Sequence, residues 1–340
     1  MAGDLAAEPR PNAPALRRPL SLLLAKLAAF IVAVAALQVV IFSTRRPVEM
    51  RTPELNKVQA LANAGTDVLF LGDSSIFAEE GNQLNTDTIL QSLMPEHKVG
   101  LIAHWAFHLG VYAAYFEYVR AIGFRPKYVV VPVNLRSFSA SWYSCPEYQF
   151  AEITFALRHS SYVARAFLDP LKVFKAFQLM SPTQDEFRRT PVLDGDEKVG
   201  VVADFKGPEY SGEVTEAHLR DIIVFHYMNR IDRDHPRAKD LMRLADQILE
   251  SGSVPVFYVS PVDHESCSTA LGDRFDERLA ENVEALRGVL NERQLPLLDL
   301  SRSVEAKDFN WRPGYPNEHM LEPGRRYLAE RLAEHMRARP

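Results

Sequence analysis

A serine that ends one apolar strand, an asparagine that ends another and a histidine set before a C-terminal helix are residue types from which ester chemistry is built. The tetrapeptide Gly72-Asp73-Ser74-Ser75 directly follows the apolar run Val68-Leu69-Phe70-Leu71. A strand that stops there places the Ser74 hydroxyl at the carboxyl edge of a sheet, where α/β folds collect their ligands. That hydroxyl is a candidate nucleophile; the same cluster can equally be a strand-to-helix turn capped by Asp73 or Ser74. A serine nucleophile also needs a base and a group that stabilises the oxyanion. Two segments offer them. Tyr128-Val129-Val130-Val131-Pro132-Val133-Asn134 is a buried-strand pattern closed by Asn134, and Asn317-Glu318-His319-Met320-Leu321-Glu322-Pro323-Gly324 sets His319 just ahead of the last helix.

Positioning these residues takes alternating strands and helices. Strands are expected from Val68 to Leu71, Val99 to Ala103, Tyr128 to Val133, Pro255 to Val259 and Leu295 to Leu300. Helical patterns fall between them, from Tyr112 to Ile122, Ala238 to Glu250, Arg274 to Leu290 and Glu322 to Met336. Such alternation implies a parallel sheet covered on both faces. The stretch from Phe138 to about His235 breaks the rhythm with aromatic-rich and polar pieces, Pro191-Val192-Leu193-Asp194-Gly195-Asp196 among them. It is expected to be a helical insertion or lid over the substrate site.

At 340 residues, 24% charged and 47% hydrophobic, the chain is long enough to bury a sizeable core. A net charge of −5 and the lack of a basic stripe with interleaved aromatics exclude nucleic acid as an expected partner. Residues 1–19 read as a disordered tail. Residues 20–42 are apolar except for Ser21, Lys26 and Gln38, and as a helix they would span roughly 30 Å, enough to cross a bilayer once. A cleaved signal peptide is the alternative, although no small-x-small site precedes Ser43-Thr44-Arg45-Arg46-Pro47. Arg17, Arg18 and Lys26 on one flank against Arg45, Arg46 and Arg51 on the other leave the orientation undecided by charge. Residues 43–60 then read as a linker and 61–340 as the folded domain.

In order and spacing, Gly-Asp-Ser, the strand-end Asn134 and the C-terminal His319 resemble the SGNH/GDSL hydrolase superfamily from about Val68 onward. The resemblance implies a three-layer, flavodoxin-like α/β fold around a five-stranded parallel sheet. It implies Ser74 as nucleophile and His319 as base, with an oxyanion hole made by the backbone N–H groups of Ser74 and Gly110 and by the Asn134 side chain. Two departures stand out. The family's Asn-x-x-x-x-Gly spacing after the second strand is replaced by the run from Ala103 to Gly110, and Pro316 stands where the family places an Asp three residues before its His. Asn317 and Glu318 are then the nearest polar candidates for orienting the imidazole, with Asp308 further back, and a Ser-His dyad is the remaining option.

The resemblance also implies a domain held in the periplasm by a single-pass helix in the inner membrane. Its substrate would be an acyl ester, for example an acetyl ester of a cell-envelope polysaccharide, handled by hydrolysis or by transfer. A catalytically degenerate protein that binds glycan or partners in envelope polysaccharide assembly is the alternative. Cys145 and Cys267 follow strands that the family's topology makes neighbours, so a disulfide is expected, with two unrelated thiols as the other reading. His104 and His108, spaced i and i+4, and the pair Asp263-His264 lack a third ligand, and no metal or other cofactor is expected.

Overall fold

The computed structural model describes residues 17–44, 53–78, 83–158, 182–205, 215–309 and 318–338. In chain order its strands are β1 (Val68–Gly72), β2 (Val99–Ala103), β3 (Tyr128–Val133), β4 (Pro191–Asp194), β5 (Glu197–Val201), β6 (Val254–Val259) and β7 (Leu297–Asp299). Five of them form one all-parallel sheet in the order β2-β1-β3-β6-β7, while β4 and β5 pair antiparallel as a separate hairpin.

The central strands are apolar along their whole length because helices cover both faces of the sheet. Alternate side chains point to opposite faces. Leu69, Leu71, Val129, Val131, Val133, Phe257 and Val259 enter a core packed under the helices Leu109–Ala121, Pro236–Glu250 and Asp273–Asn291. Val68, Phe70, Tyr128, Val130, Val256 and Tyr258 enter the opposite one, under Thr86–Leu93 and Glu322–Arg337. The result is a three-layer α/β arrangement. The chain goes from β1 to β2 on one side and then returns to β3 on the other side of β1, so the winding reverses between β1 and β3. At such a point the carboxyl ends of the strands open a crevice.

Several sequence expectations change. The last part of the stretch expected as a linker, residues 53–60, belongs to the helix Pro53–Asn63, which packs Leu55 and Val58 into the core, while residues 45–52 lie outside the described residues. The insertion is not wholly helical, because Pro191 to Val201 forms the β4–β5 hairpin. Its two-residue loop is Gly195-Asp196, with Gly195 at φ 66°, the conformation a tight hairpin asks of glycine. The described part of the insertion packs on the domain: Ile223, Tyr227 and Met228 join the main core, and Phe225 and Val192 belong to a smaller cluster.

The helix Arg17–Thr44 precedes the domain, with Leu22, Leu23, Leu24, Leu27, Phe30 and Ile31 all exposed. Among the described residues no helix is long and apolar enough to cross a membrane. Of the expected span over residues 20–42, the side chains before Leu22 and after Leu37 lie outside the described residues.

Candidate active site

The strand β1 ends where only glycine fits. A Cβ on Gly72 would lie 2.3 Å from Ile76 Cδ1 and 3.2 Å from Ala103 Cβ. The chain then turns through the short 3₁₀ helix Ser74–Ile76, capped by Asp73, whose Oδ1 accepts from Ser75 N at 2.8 Å. The turn reading of the Gly-Asp-Ser cluster holds, with Asp73 as its cap, and the turn leaves Ser74 half-buried at the carboxyl end of β1. The Ser74 N–H opens the turn and has no acceptor within it.

His319 meets this turn from the other end of the chain. Its Nε2 lies 3.1 Å from Ser74 Oγ, across 245 residues of sequence. Ser74 and His319 are both half-buried, whereas the polar residues beneath them are closed off from solvent. A backbone bridge between Phe309 and Met320, together with Leu321 N donating to Asp308 O at 2.7 Å, fixes the segment carrying His319. The wholly buried Arg325 ties this segment to the one following Ser74. It donates to Met320 O on one side, and to Phe77 O (3.4 Å), Leu84 O (2.9 Å) and Gln83 Oε1 (2.6 Å) on the other.

Beneath the pair lie two buried carboxylates. Glu318 turns into the protein, where its Oε1 accepts from Arg136 Nη1 at 3.2 Å and its Oε2 from Tyr227 OH at 2.8 Å. Burial alone would raise its pKa, but the Arg136 guanidinium, then His319, Tyr227 and Asn134, hold it below the ordinary value. Among the described residues no cation pairs with Asp73, and burial pushes its pKa up against the hydrogen bonds from Ser75 and Asn134, with Glu318 adding repulsion. Asn134 connects the two: its Nδ2 donates to Asp73 Oδ2 at 3.0 Å, its amide helps lower the Glu318 pKa, and its Oδ1 accepts from Arg136 N at 3.0 Å. The Asn134 amide is thus turned toward buried carboxylates at the β3 end of the crevice.

Gly110 sits elsewhere. Its N–H donates to His108 Nδ1 at 3.1 Å, and a Cβ there would meet Asp240 Oδ2 at 2.7 Å and Arg237 Nη1 at 3.0 Å. Asn317 lies outside the described residues. His104 and His108 do not share a helix, because Ala106 between them takes φ 60° and the helix starts only at Leu109. His108 instead caps that helix, with Nε2 on Tyr148 O at 2.7 Å, while His104 packs on the rings of Phe107 and Phe150. Asp263 caps the helix His264–Leu271 by accepting from Ser266 N. Among the described residues no group of three His, Cys, Asp or Glu is placed to hold a metal ion.

The expected disulfide is absent. Cys145 and Cys267 are both free and buried, the first donating from Sγ to Glu147 Oε2 at 2.9 Å and the second set in the main core. Burial, with Glu147 second, pushes the Cys145 thiol up to about 12, and burial also raises the pKa of Cys267 well above the ordinary value. The support that a disulfide would have lent to an oxidising compartment falls with it. Arg136, Tyr227 and Arg325 are the residues that sequence reading missed. Only Arg136, two positions after the strand-end Asn134, carried a local signal.

No protein-family model matches the chain, and no curated protein matches it.

Proposed function

We propose that the chain is a serine esterase or O-acyltransferase of the SGNH type, acting on acyl esters such as the acetyl groups of a cell-envelope polysaccharide. The observation that carries this reading is the Ser74 Oγ to His319 Nε2 contact of 3.1 Å, at the carboxyl end of β1 where the winding reverses. In this scheme Ser74 Oγ attacks the ester carbonyl carbon as His319 Nε2 takes its proton. The imidazolium then gives that proton to the departing alcohol oxygen as the C–O bond breaks. Water, or a sugar hydroxyl in the case of transfer, attacks the acyl-serine in the second half, with His319 again the base. The Ser74 N–H is the nearest backbone donor for the oxyanion, because it opens the 3₁₀ turn. Asn134, with one N–H on Asp73, would serve the oxyanion only through the other.

The exposed side chains from Leu22 to Leu37 support a tether. An apolar stripe of this kind on a helix outside the domain core calls for a cover, and a bilayer supplies one. On this reading the domain works at the inner membrane on the periplasmic side.

The test is hydrolysis of p-nitrophenyl acetate by Ser74→Ala and His319→Ala. Each should lose about three orders of magnitude or more in kcat while melting within a few degrees of the parent. Undiminished turnover by Ser74→Ala would remove the assigned nucleophile and leave a protein that binds glycan or assembly partners on the same fold.

A further inference from the structure

A second polar cavity, of about 230 Å³, opens among the helices Leu109–Ala121, Ala151–Arg158 and Pro236–Glu250, and nothing in the reaction above uses it. Its wall carries three arginines, Arg158, Arg237 and Arg243, against one carboxylate, Asp240. Asp240 is shared: Oδ2 takes Arg237 Nη1 at 3.0 Å, and Oδ1 takes Arg243 Nη2 at 3.4 Å. Arg158 spends its Nε on Glu117 at 2.9 Å, and Glu117 also takes Gln247 Nε2.

The donors therefore outnumber the acceptors. Each guanidinium offers five N–H groups in a planar fork. Among the described residues, both Nη groups of Arg158 and the Nη1 of Arg243 have no protein acceptor. Arg237 is buried, anchored to Trp142 O at 3.2 Å and lying against His108 Nε2, and its Nε has no partner. His108 adds no further positive charge, since burial and then the Arg237 charge hold its pKa well below the ordinary value. Taken with Glu117, three cations face two anions. Such a fork-lined cavity matches the planar, two-oxygen geometry of a carboxylate or phosphate.

We infer that this cavity is an oxyanion-binding site for a carboxylate- or phosphate-bearing ligand. It lies at the carboxyl edge of the sheet, as Ser74 does: Gly110 begins the helix after β2, and Arg237 begins the helix that runs back to β6. An acidic sugar residue and a phosphate group on a carrier present the same chemistry to it. The site does not depend on Ser74 being a nucleophile.

Binding of inorganic phosphate, galacturonate and neutral galactose to the full-length protein, followed by calorimetry at low ionic strength, tests the inference. At least one anion should bind, and galactose should not. Arg243→Ala and Arg158→Ala, both partly exposed and so dispensable for folding, should each weaken the anion about tenfold, the loss of one charge-assisted contact. Preference for galacturonate would assign the site to an acidic sugar, and preference for phosphate to a phosphorylated group. Ser74→Ala should bind as the parent does, so that failure of the esterase reading leaves this result standing. Equal binding of galactose, no anion binding at millimolar concentration, or anion binding unchanged in both arginine variants would each overturn it.

Discussion

Replacing Arg136 by alanine removes the cation that neutralises Glu318, and the consequence can be worked out from the burial of the pair. The Glu318 side chain is 1% exposed and that of Arg136 is 13% exposed, so solvent screening offers little relief. Breaking a buried pair by removing one partner typically costs about 3–5 kcal/mol, because the remaining charge is left uncompensated. Tyr227 OH and the Asn134 amide still stabilise the carboxylate, which argues for the lower end of that range. Loss of the Arg136 contact with the Trp142 ring adds about half a kilocalorie, for a total of about 3.5 kcal/mol. In a domain of this size that lowers the melting temperature by roughly 6 °C or more. The pH dependence follows from the direction of the shift. The folded pKa of Glu318 lies below its ordinary value, so the stability it contributes is present above the unfolded pKa and is lost as pH falls through the folded one. Without Arg136 burial wins, the folded pKa rises, and the variant's deficit shrinks between neutral pH and about pH 4. Urea unfolding of parent and variant at both pH values measures this. A deficit under about 1 kcal/mol at pH 7, or one that does not change down to pH 4, would refute the uncompensated-carboxylate argument.

Three further outcomes can be checked alongside it. Gly72→Ala should cost about 1–3 kcal/mol in urea unfolding and lower kcat at least tenfold or so, since the new methyl displaces Ile76 and with it the turn carrying Ser74. Arg325→Lys should lower kcat with KM nearly unchanged, because one ammonium cannot span Met320 O and the Phe77–Leu84 segment together; a proportional rise in KM would count against a positioning role. Without any reductant, a chromogenic disulfide reagent should titrate neither Cys145 nor Cys267 in the native protein and both in urea, and a native disulfide would show as thiols missing from the urea titration.

The strands were legible because a sheet covered on both faces demands unbroken apolar runs, and Val68 to Leu71, Val99 to Ala103 and Tyr128 to Val133 supply them. Ser74 and His319 were legible for a related reason: each stands at the border of such an element, where a polar residue has no packing purpose. The hairpin at β4 and β5 was not, since Pro191 and the charged residues after it suit a loop as well as an edge strand. Arg136 and Arg325 could not be read at all as partners of the site. Their contacts span 182 residues to Glu318 and 241 to Leu84, and no local pattern encodes where a long cationic side chain will end. The cysteines show the reverse: following neighbouring strands does not bring Cys145 and Cys267 into a disulfide.

In the reaction proposed above, Glu318 is the acid next to the base His319, and its placement decides what it could do for the imidazole. An acid beside an imidazole serves in two ways: it fixes the ring's tautomer and orientation by contact, and it stabilises the imidazolium by charge. Neighbours along an extended segment point in opposite directions. With His319 directed out toward Ser74, Glu318 is directed inward, to Arg136 and Tyr227, and the contact role is closed to it. The charge role is not, because Glu318 and His319 still attract through the protein interior. Arg136 dilutes that attraction, and this is the cost of keeping a carboxylate ionised where water cannot reach it. The backbone that carries His319 is held by the Phe309–Met320 bridge and by the Arg325 clamp on Met320 O. In the reaction proposed above Glu318 would therefore act on His319 by charge and not by contact, so Glu318→Gln should lower kcat by less than the roughly four orders of magnitude that loss of a contact acid costs.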